Sequence, residues 1–264
     1  MSTFKTTAGT GSRIKISRNG TNTLKITATT SNNGFNPISL GGLKAWYKAD
    51  ALVGINNGDP VTLWPDSSGL GFNASLLGGY GPSPTYVASD SLLNNKPSVY
   101  LDGTAAFSCN SITSMSSFTL YSVNWQTGYG EVACLGDGAG GRFGFLPYFD
   151  GNIYANAVYS NGARTPWYSS TPMILSYPYQ VGSTIGTNLF YYNGSNATVT
   201  QLGTGETLGA MTAIMLGGRY YGGYNAELKM TGNIAEVLVF DNAHDNTTRG
   251  LVESYLAEKY GITI

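Results

Sequence analysis

The sequence predicts an all-β fold, an antiparallel sandwich or barrel with many short strands. From residue 43 onward, short β-prone runs such as SFTLYSV and EVLVF alternate regularly with clusters of turn residues. Glycine makes up 36 of the 264 residues, and charged residues are only 11% of the chain, against roughly 25% in an average soluble protein. Aromatic residues make up 12% of the chain and provide enough apolar area for a buried core.

One helix is predicted, near the C-terminus. Asp245 is a suitable N-cap residue, because its carboxylate can accept a hydrogen bond from an N–H group of the first turn. Gly261 is a suitable C-cap residue, because glycine readily adopts the left-handed conformation that ends many helices. Between them apolar side chains recur at helical spacing, at Leu251, Val252, Tyr255, Leu256 and Tyr260. The run is too short to form a second domain.

The first forty residues are predicted to form a β-hairpin arm. RIKIS (13–17) and TLKIT (23–27) alternate apolar and polar residues, and Asn19-Gly20 between them is a strong hairpin-turn signal. The two-residue period of a strand separates the side chains, with Ile14, Ile16, Leu24 and Ile26 on one face and Arg13, Lys15 and Lys25 on the other. An isolated hairpin is marginal in water, so the apolar face needs a partner. We therefore predict an attachment element over residues 1–40 and one domain over 41–264.

The charge is distributed unevenly along the chain. Residues 1–49 contain seven basic residues and no acidic one, whereas the remaining 215 residues contain seven basic and fifteen acidic ones. Such asymmetry is typical of an interaction tail, although a solvated basic surface without a partner has the same composition. Nucleic acid is not the expected partner, because the arm is poor in aromatic residues on which bases could stack.

Four segments, in order, resemble one known family. They are GLKAWYKADA (42–51), LWPDSSGLGFNAS (63–75), KPSVYLDGTAAF (96–107) and GNIAEVLVFDNAHDNTTRGLVESYLAEKYGI (232–262). Together they are similar to the laminin-G-like, or concanavalin-A-like, jelly-roll domain. The resemblance implies a jelly-roll sandwich over about 220 residues, with His244 at a position that is usually apolar in the family. It does not give the function, because this fold hosts lectins, glycosidases and structural modules.

Asp66 is the one charged residue of the segment VTLWPDSSGLGFNAS (61–75). An aspartate followed by two serines and a glycine typically accepts hydrogen bonds from backbone N–H groups a few residues on, so we interpret it as a turn former. Calcium is the alternative, with Asp50 and Asp102 as further ligands. No other cofactor is expected. Cys109 and Cys134 match no metal or redox spacing and are expected to be buried, reduced thiols.

The acidic residues do not show the pattern of a glycosidase site. Glycosidases of this fold resemble each other in an E-x-D-x-x-E strand, whereas no two acidic residues of this chain are two or three positions apart. A Ser-His-Asp site would need His244, the single histidine, which lies beside the predicted helix start. GDGAGG (136–141) precedes a strand-like segment, which does not fit a dinucleotide-binding turn. We therefore expect a protein that is not an enzyme and has no catalytic residues.

Sugar binding is the function that the aromatic residues favour. Lectin sites combine exposed aromatic rings with a few polar groups. GGRYYGGYNAE (217–227) offers Tyr220, Tyr221 and Tyr224 among glycines, beside Arg219. TPWYSS (165–170) offers Trp167. In a tyrosine-rich sandwich most aromatic residues belong to the core, and this alternative stays open for both clusters.

The biological setting is predicted from what the chain does not contain. No N-terminal apolar run is long enough for a signal peptide, and no stretch approaches the ~18 apolar residues of a membrane helix. FNPISLGGLKAW (35–46) resembles the segment that precedes jelly rolls in phage structural proteins. We therefore expect a phage virion surface protein, a capsid decoration or tail-associated protein that is made in the host cytoplasm.

The predicted partners follow from that setting. Other virion proteins would contact the arm, the chain would form a homo-oligomer, and a cell-surface glycan is a further candidate ligand. Neither nucleic acid nor a membrane is expected as a partner. The alternative function is a freestanding carbohydrate-binding module of the lectin type, which could lose the arm and still bind sugar.

Overall fold

The computed structural model describes residues 12–18, 24–30, 34–77, 81–138, 141–148, 150–158, 161–166, 170–184, 190–197, 200–202, 207–221 and 225–264. In chain order the strands are β1 (Ser12–Arg18), β2 (Leu24–Thr30), β3 (Leu43–Lys48), β4 (Leu63–Trp64), β5 (Ala74–Leu76), β6 (Thr85–Asp90), β7 (Lys96–Asp102), β8 (Phe107–Cys109), β9 (Phe118–Gln126), β10 (Ala133–Gly136), β11 (Arg142–Pro147), β12 (Asn152–Val158), β13 (Asn161–Pro166), β14 (Met173–Tyr179), β15 (Tyr191–Tyr192), β16 (Ser195–Asn196), β17 (Thr200–Leu202), β18 (Ala213–Leu216), β19 (Arg219–Tyr221), β20 (Asn225–Glu227) and β21 (Thr231–Phe240). Short 3₁₀ turns lie at Pro37–Ser39, Ala49–Ala51 and Ser91–Leu93, and helix α1 spans Asn246–Tyr260.

Two large antiparallel sheets form a β-sandwich, which confirms the predicted all-β class. The nine-stranded sheet has the order β17-β13-β12-β11-β10-β18-β8-β5-β4. The eight-stranded sheet has the order β16-β15-β14-β9-β21-β7-β6, and β3 also pairs with β21. The main core contains side chains of both sheets, including Phe118, Tyr177 and Val237 from one and Phe143 and Leu216 from the other. Burial of this apolar area between the sheets is the main stabilising contribution.

Helix α1 packs on the outer face of the eight-stranded sheet. Val252, Leu256 and Tyr260 form a second core with residues of β3, β9 and β21. The helix begins as predicted, because the side chain of Asp245 accepts a hydrogen bond of 2.7 Å from the N–H of Thr248. It ends as predicted at Gly261, which has a φ of 68°. Over the described part of the chain, no helix is long and apolar enough to span a membrane.

The polar contacts beneath the helix are centred on Glu236. Its Oε1 accepts a hydrogen bond of 2.6 Å from Trp46 Nε1, and its Oε2 accepts bonds from Lys259 Nζ and Tyr260 Oη at 2.7 Å each. Burial and the neighbouring carboxylate raise the pKa of Tyr260 well above its usual range. The hydroxyl of Tyr255 also donates to Oε1 of Glu236, at 3.2 Å. A fully buried carboxylate with these four donors is a satisfied structural group, and it fixes the helix on the sheet.

The outer face of the nine-stranded sheet is partly covered by a small ribbon of β19 and β20. This ribbon is a separate two-stranded sheet in which Arg219 lies opposite Glu227. Tyr220 packs there with Cys134 and Met215 in a third apolar cluster. Cys109 and Cys134 are both free and buried, as the sequence predicted.

The N-terminal strands β1 and β2 pair with each other in antiparallel register. Ile16 lies opposite Ile26 and Lys15 opposite Thr27, as the predicted alternation requires. The predicted Asn19-Gly20 turn lies outside the described residues. Residues 34–40 are part of the sandwich, because Phe35 and Leu40 pack against the core beneath the helix. Phe35 and Leu40 of the predicted arm therefore contact the sandwich, and the predicted division at residue 40 stays a prediction.

Candidate functional site

A surface cleft of about 430 Å³ lies at the end of the eight-stranded sheet where β7 and β9 finish and β21 begins. Three chain segments that are distant in sequence form it, and its lining residues are Asp102, Gly103, Gly128, Tyr129, Leu228, Lys229 and Thr231. The cleft is large enough for a small ligand, and such concave sites are where ligands usually bind.

The cleft walls have an unusual backbone. Leu228 has a φ of 41°, in the left-handed region, which costs a non-glycine residue about 1 kcal/mol. The N–H of Glu131 donates a hydrogen bond of 2.7 Å to the carbonyl of Leu228 and holds it there. Gly130 has a φ of 135° and contacts the backbone of Met230, so that a Cβ at this position would overlap it. Backbone strain of this kind is often concentrated at ligand sites.

The cleft presents one aromatic ring and two opposite charges. Tyr129 is 50% exposed, and this is one of the most exposed aromatic side chains among the described residues. Oδ1 of Asp102 accepts hydrogen bonds from the N–H and Oγ1 of Thr104, at 2.9 and 2.5 Å. Oδ2 of this exposed carboxylate makes no hydrogen bond to the described residues. The lining therefore combines an aromatic ring, a carboxylate acceptor and a lysine.

A buried ion pair supports the cleft from behind. Nε of Arg219 lies 2.6 Å from Oε2 of Glu131, and the two side chains are 0% and 1% exposed. Gly144 on β11 leaves room for this pair, because a Cβ there would overlap the Glu131 carboxylate. Likewise a Cβ on Gly136 would lie 2.7 Å from the ring of Tyr220. Glycine at positions 144 and 136 therefore leaves the space that the side chains of Glu131 and Tyr220 occupy.

Of the predicted sugar-binding residues, the structure describes the side chains of Arg219 and Tyr220, and both are buried. Arg219 is fully buried against Glu131. Tyr220 is 8% exposed, and its hydroxyl donates a hydrogen bond of 3.1 Å to Asn110 Oδ1. Tyr221 is described by its backbone, in β19. Tyr224 and Trp167 lie outside the described residues, so that their part of the prediction stays a prediction.

Asp66 occupies the turn position that the sequence predicts. Its Oδ1 accepts hydrogen bonds from the N–H groups of Trp46 and Ser68, both at 2.9 Å. Its Oδ2 accepts from Ser68 Oγ at 2.6 Å and from the N–H of Phe72 at 3.0 Å. The carboxylate therefore joins β3 to the turn that follows β4.

The three calcium candidates lie apart, each with its own neighbours. Asp50 forms an ion pair of 2.9 Å with Lys259, and Asp102 bonds to Thr104. Over the described residues no group of three or more histidine, cysteine or acidic side chains could hold a metal ion. Asp50, Asp66 and Asp102 therefore do not form such a group.

His244 is buried beside the start of the helix. Its Nδ1 shares a hydrogen bond of 2.7 Å with the hydroxyl of Tyr121, and its ring lies 4.4 Å from that of Phe240. Burial lowers the pKa of this imidazole to about 4. A neutral, 6% exposed histidine fills the apolar position that the family resemblance implies.

Sequence reasoning missed Tyr129. The segment QTGYGE (126–131) follows β9 directly and places this tyrosine between two glycines. An aromatic residue in a glycine-rich turn after a long strand is a signal of an exposed ring, and the same criterion selected Tyr220, Tyr221 and Tyr224. The cleft itself could not be found that way, because its walls come from positions near 102, 129 and 229.

No protein-family model matches the chain, and no curated protein matches it in sequence. Several solved structures share its fold. Domain 4 of AbnA, a GH43 extracellular arabinanase from Geobacillus stearothermophilus solved in complex with arabinotriose, has a TM-score of 0.56 at 14% identity, over 82% of this chain and 98% of that one. An arabinofuranosidase complexed with arabinofuranosyl-α-1,2-xylobiose has a TM-score of 0.54 at 17% identity, over 97% and 61%. Trypanosoma rangeli sialidase with difluorosialic acid has a TM-score of 0.51 at 12% identity, over 85% and 34%.

At these identities the similarity shows the β-sandwich fold alone. The chain spans about 61% of the arabinofuranosidase and about 34% of the sialidase, so that both enzymes contain substantial parts without a counterpart here. These comparisons show no phage origin.

The expectation that the protein is not an enzyme is wrong on this comparison. The three solved chains named above belong to glycoside hydrolases and a sialidase. The missing E-x-D-x-x-E strand excludes only one active-site pattern of the fold. It therefore could not support a general exclusion of enzymatic activity.

Proposed function

We propose that this chain is a carbohydrate-binding β-sandwich and that the cleft at Tyr129 holds a sugar residue. The observation that carries the proposal is the half-exposed Tyr129 ring in a cleft that Asp102 and Lys229 also line. A sugar has apolar C–H faces that can lie on an aromatic ring. Its hydroxyls can donate to a carboxylate and accept from an ammonium group.

The chemistry of the lining favours a neutral saccharide. Asp102 and Lys229 contribute one negative and one positive charge, so that neither sign dominates the cleft. The solved domain of AbnA, which has the same fold, was complexed with arabinotriose. Arabinose oligosaccharides are therefore the first probes to use.

Calorimetric titration of the full chain with arabinotriose tests this function. Tyr129→Ala is expected to weaken binding about tenfold, which corresponds to ~1.4 kcal/mol, a plausible size for one stacked ring. Val181→Ala is the matched control, because Val181 is 52% exposed and follows β14 at the opposite end of the sandwich. Equal affinities of the wild type and Tyr129→Ala would remove the cleft from consideration. Chromatography of the sugar after each titration shows whether it has been cleaved.

We further propose a phage particle as the biological setting, with the jelly roll displayed and the N-terminal strands as its anchor. Support comes from the lead-in FNPISLGGLKAW and from the basic composition of the arm. The observation that tests the setting is the set of neighbouring genes: capsid, portal or tail genes are expected beside this one. Neighbours that encode only sugar metabolism would favour the freestanding module.

A further inference from the structure

Three tyrosines lie in a row that begins in the cleft. The ring centroids of Tyr129 and Tyr148 are 6.1 Å apart, and those of Tyr148 and Tyr154 are 6.2 Å apart. Each pair meets edge to face, at interplanar angles of 71° and 86°. All three side chains are exposed or partly exposed, so the row is a surface feature and not part of a core.

The backbone fixes this row on the outer face of the nine-stranded sheet. Tyr154 lies on β12, two residues after Asn152. The N–H of Tyr148 donates a hydrogen bond of 2.9 Å to the carbonyl of Asn152, at the turn between β11 and β12. The N–H of Gly130 donates to the carbonyl of Pro147 at 3.1 Å and attaches the Tyr129 loop to the end of β11. The alternate residues of β11, Phe143 and Phe145, face the core. The spacing of the rings therefore depends on hydrogen-bonded backbone.

A charged pair ends the row on the side away from the cleft. The Tyr154 hydroxyl donates a hydrogen bond of 2.5 Å to Asp150 Oδ2, and Arg164 Nη1 lies 3.9 Å from the same oxygen. Partial burial raises the pKa of Asp150, but hydrogen bonds from Tyr154 and Asn152 and the charge of Arg164 outweigh it and lower the pKa below its usual value. The Asp150 carboxyl therefore stays ionised at neutral pH, and the Arg164 guanidinium beside it carries five N–H donors.

We propose that the cleft continues along Tyr148 and Tyr154 to Arg164, and that the ligand is a neutral oligosaccharide bound along its length. The inference rests on the proposed sugar-binding function and adds the size class of the ligand. Three successive rings offer apolar surface to successive sugar units, and polar groups lie at both ends of the row. A single sugar on the Tyr129 ring would not extend to Tyr154, which lies two ring contacts further along the row.

The test compares ligands of increasing length on the full chain. Arabinose, arabinobiose and arabinotriose, and the matching xylose series, are titrated calorimetrically against the wild type. Affinity is expected to rise about tenfold from the monosaccharide to the trisaccharide, which corresponds to ~1.4 kcal/mol. Tyr154→Ala is expected to lose this gain and to keep the monosaccharide affinity. Tyr154→Phe, which keeps the ring, is expected to keep most of the gain.

Tyr100→Ala is the matched control, because Tyr100 is 37% exposed on β7 of the other sheet. Its length dependence should equal that of the wild type. Monosaccharide binding without any gain in affinity for longer sugars would overturn the extended site and leave the Tyr129 cleft intact. A gain in affinity with sugar length that persists in Tyr154→Ala would also overturn the extended site. Absence of binding to every sugar of both series would overturn the proposed function together with this inference.

Discussion

Glu131 and Arg219 form a fully buried ion pair that connects the ribbon of β19 and β20 to the wall of the cleft. The backbone N–H of Glu131 bonds to the carbonyl of Leu228, while its side chain holds the first residue of β19. Glu131 therefore fixes both the beginning of the ribbon and the segment that leaves it. Removing one partner of a buried pair typically costs about 3–5 kcal/mol, because the other charge stays buried.

Glu131→Gln is expected to lower both stability and sugar affinity. Urea unfolding should show a loss of about 3 kcal/mol, and calorimetry with arabinotriose should show weaker binding because the cleft wall at Leu228 moves. Glu253→Gln is the control: this buried carboxylate pairs with Arg249 on the helix and accepts a bond from Ser176 Oγ at 2.5 Å, remote from the cleft. The Glu253→Gln variant should lose a similar amount of stability and bind arabinotriose with the affinity of the wild type. Equal affinity losses in the two variants would contradict a positioning role for Glu131.

His244 is expected to make the protein sensitive to mild acid. Its pKa is lowered by burial to about 4 from an ordinary value of 6.5, so the unfolded chain binds the proton more readily. The stability that neutral His244 contributes is fully present above pH 6.5 and is lost as the pH falls from 6.5 toward 4. At pH 4.5 the loss should be about 2 kcal/mol.

His244→Phe separates this contribution from that of the carboxylates. The variant loses the hydrogen bond to Tyr121, so its stability at pH 7 is not the relevant measure. Urea unfolding at pH 7 and pH 4.5 gives the pH dependence, which should be smaller in the variant by about 2 kcal/mol. The same pH dependence in both proteins would show that the imidazole titrates normally.

Asp66→Ala is expected to destabilise the sandwich by about 3 kcal/mol, because N–H and O–H donors lose a charged acceptor. Asp59→Ala is the control, since among the described residues the Asp59 side chain accepts hydrogen bonds from Asn56, three positions earlier in the same loop. This substitution should cost ~0.5 kcal/mol, as a surface change does. Thermal melts measure the stability of both variants.

A chelator should leave the wild-type melting temperature unchanged. A large drop that calcium alone restores would assign Asp66 to a metal site.

Local chemistry explains which elements could be predicted from the sequence. Three predicted features depend on residues within a few positions of one another, and the structure has all three. They are the start of the helix at Asp245, its end at Gly261 and the turn in which Asp66 binds Ser68. The alternation of RIKIS and TLKIT likewise reappears in the register of β1 and β2. These contacts are short-range, so residue type and spacing contain the required information. The bond from the N–H of Trp46 to Asp66, 20 positions away, could not be predicted in this way.

The site could not be predicted because it depends on long-range contacts. Arg219 looks like an exposed ligand contact among glycines and tyrosines, yet Glu131, 88 positions earlier, neutralises it in the interior. Nothing in the local sequence of either residue indicates the other. Similarly, Phe35 belongs to the sandwich and not to the arm, because its ring packs 6.0 Å from that of Tyr255 on the helix.

The arm before residue 34 is expected to mediate association. Residues 1–33 contain five basic residues and no acidic one, whereas residues 34–264 contain nine basic and fifteen acidic residues, a net charge of −6. Among the described strands, β1 and β2 pair only with each other. The basic hairpin of one copy can therefore contact the acidic body of another copy or another acidic surface. Salt weakens such attraction.

Two truncations test this boundary and the role of the arm. Deletion of residues 1–33 should leave the melting temperature unchanged and give a monomer by sedimentation, whereas the full chain should associate at low salt and dissociate at high salt. Deletion of residues 1–40 should cost a further ~2 kcal/mol, because Phe35 and Leu40 leave the core beneath the helix. Aggregation of the shorter deletion would make the hairpin part of the sandwich. Unchanged association of that deletion would place the contact elsewhere on the body.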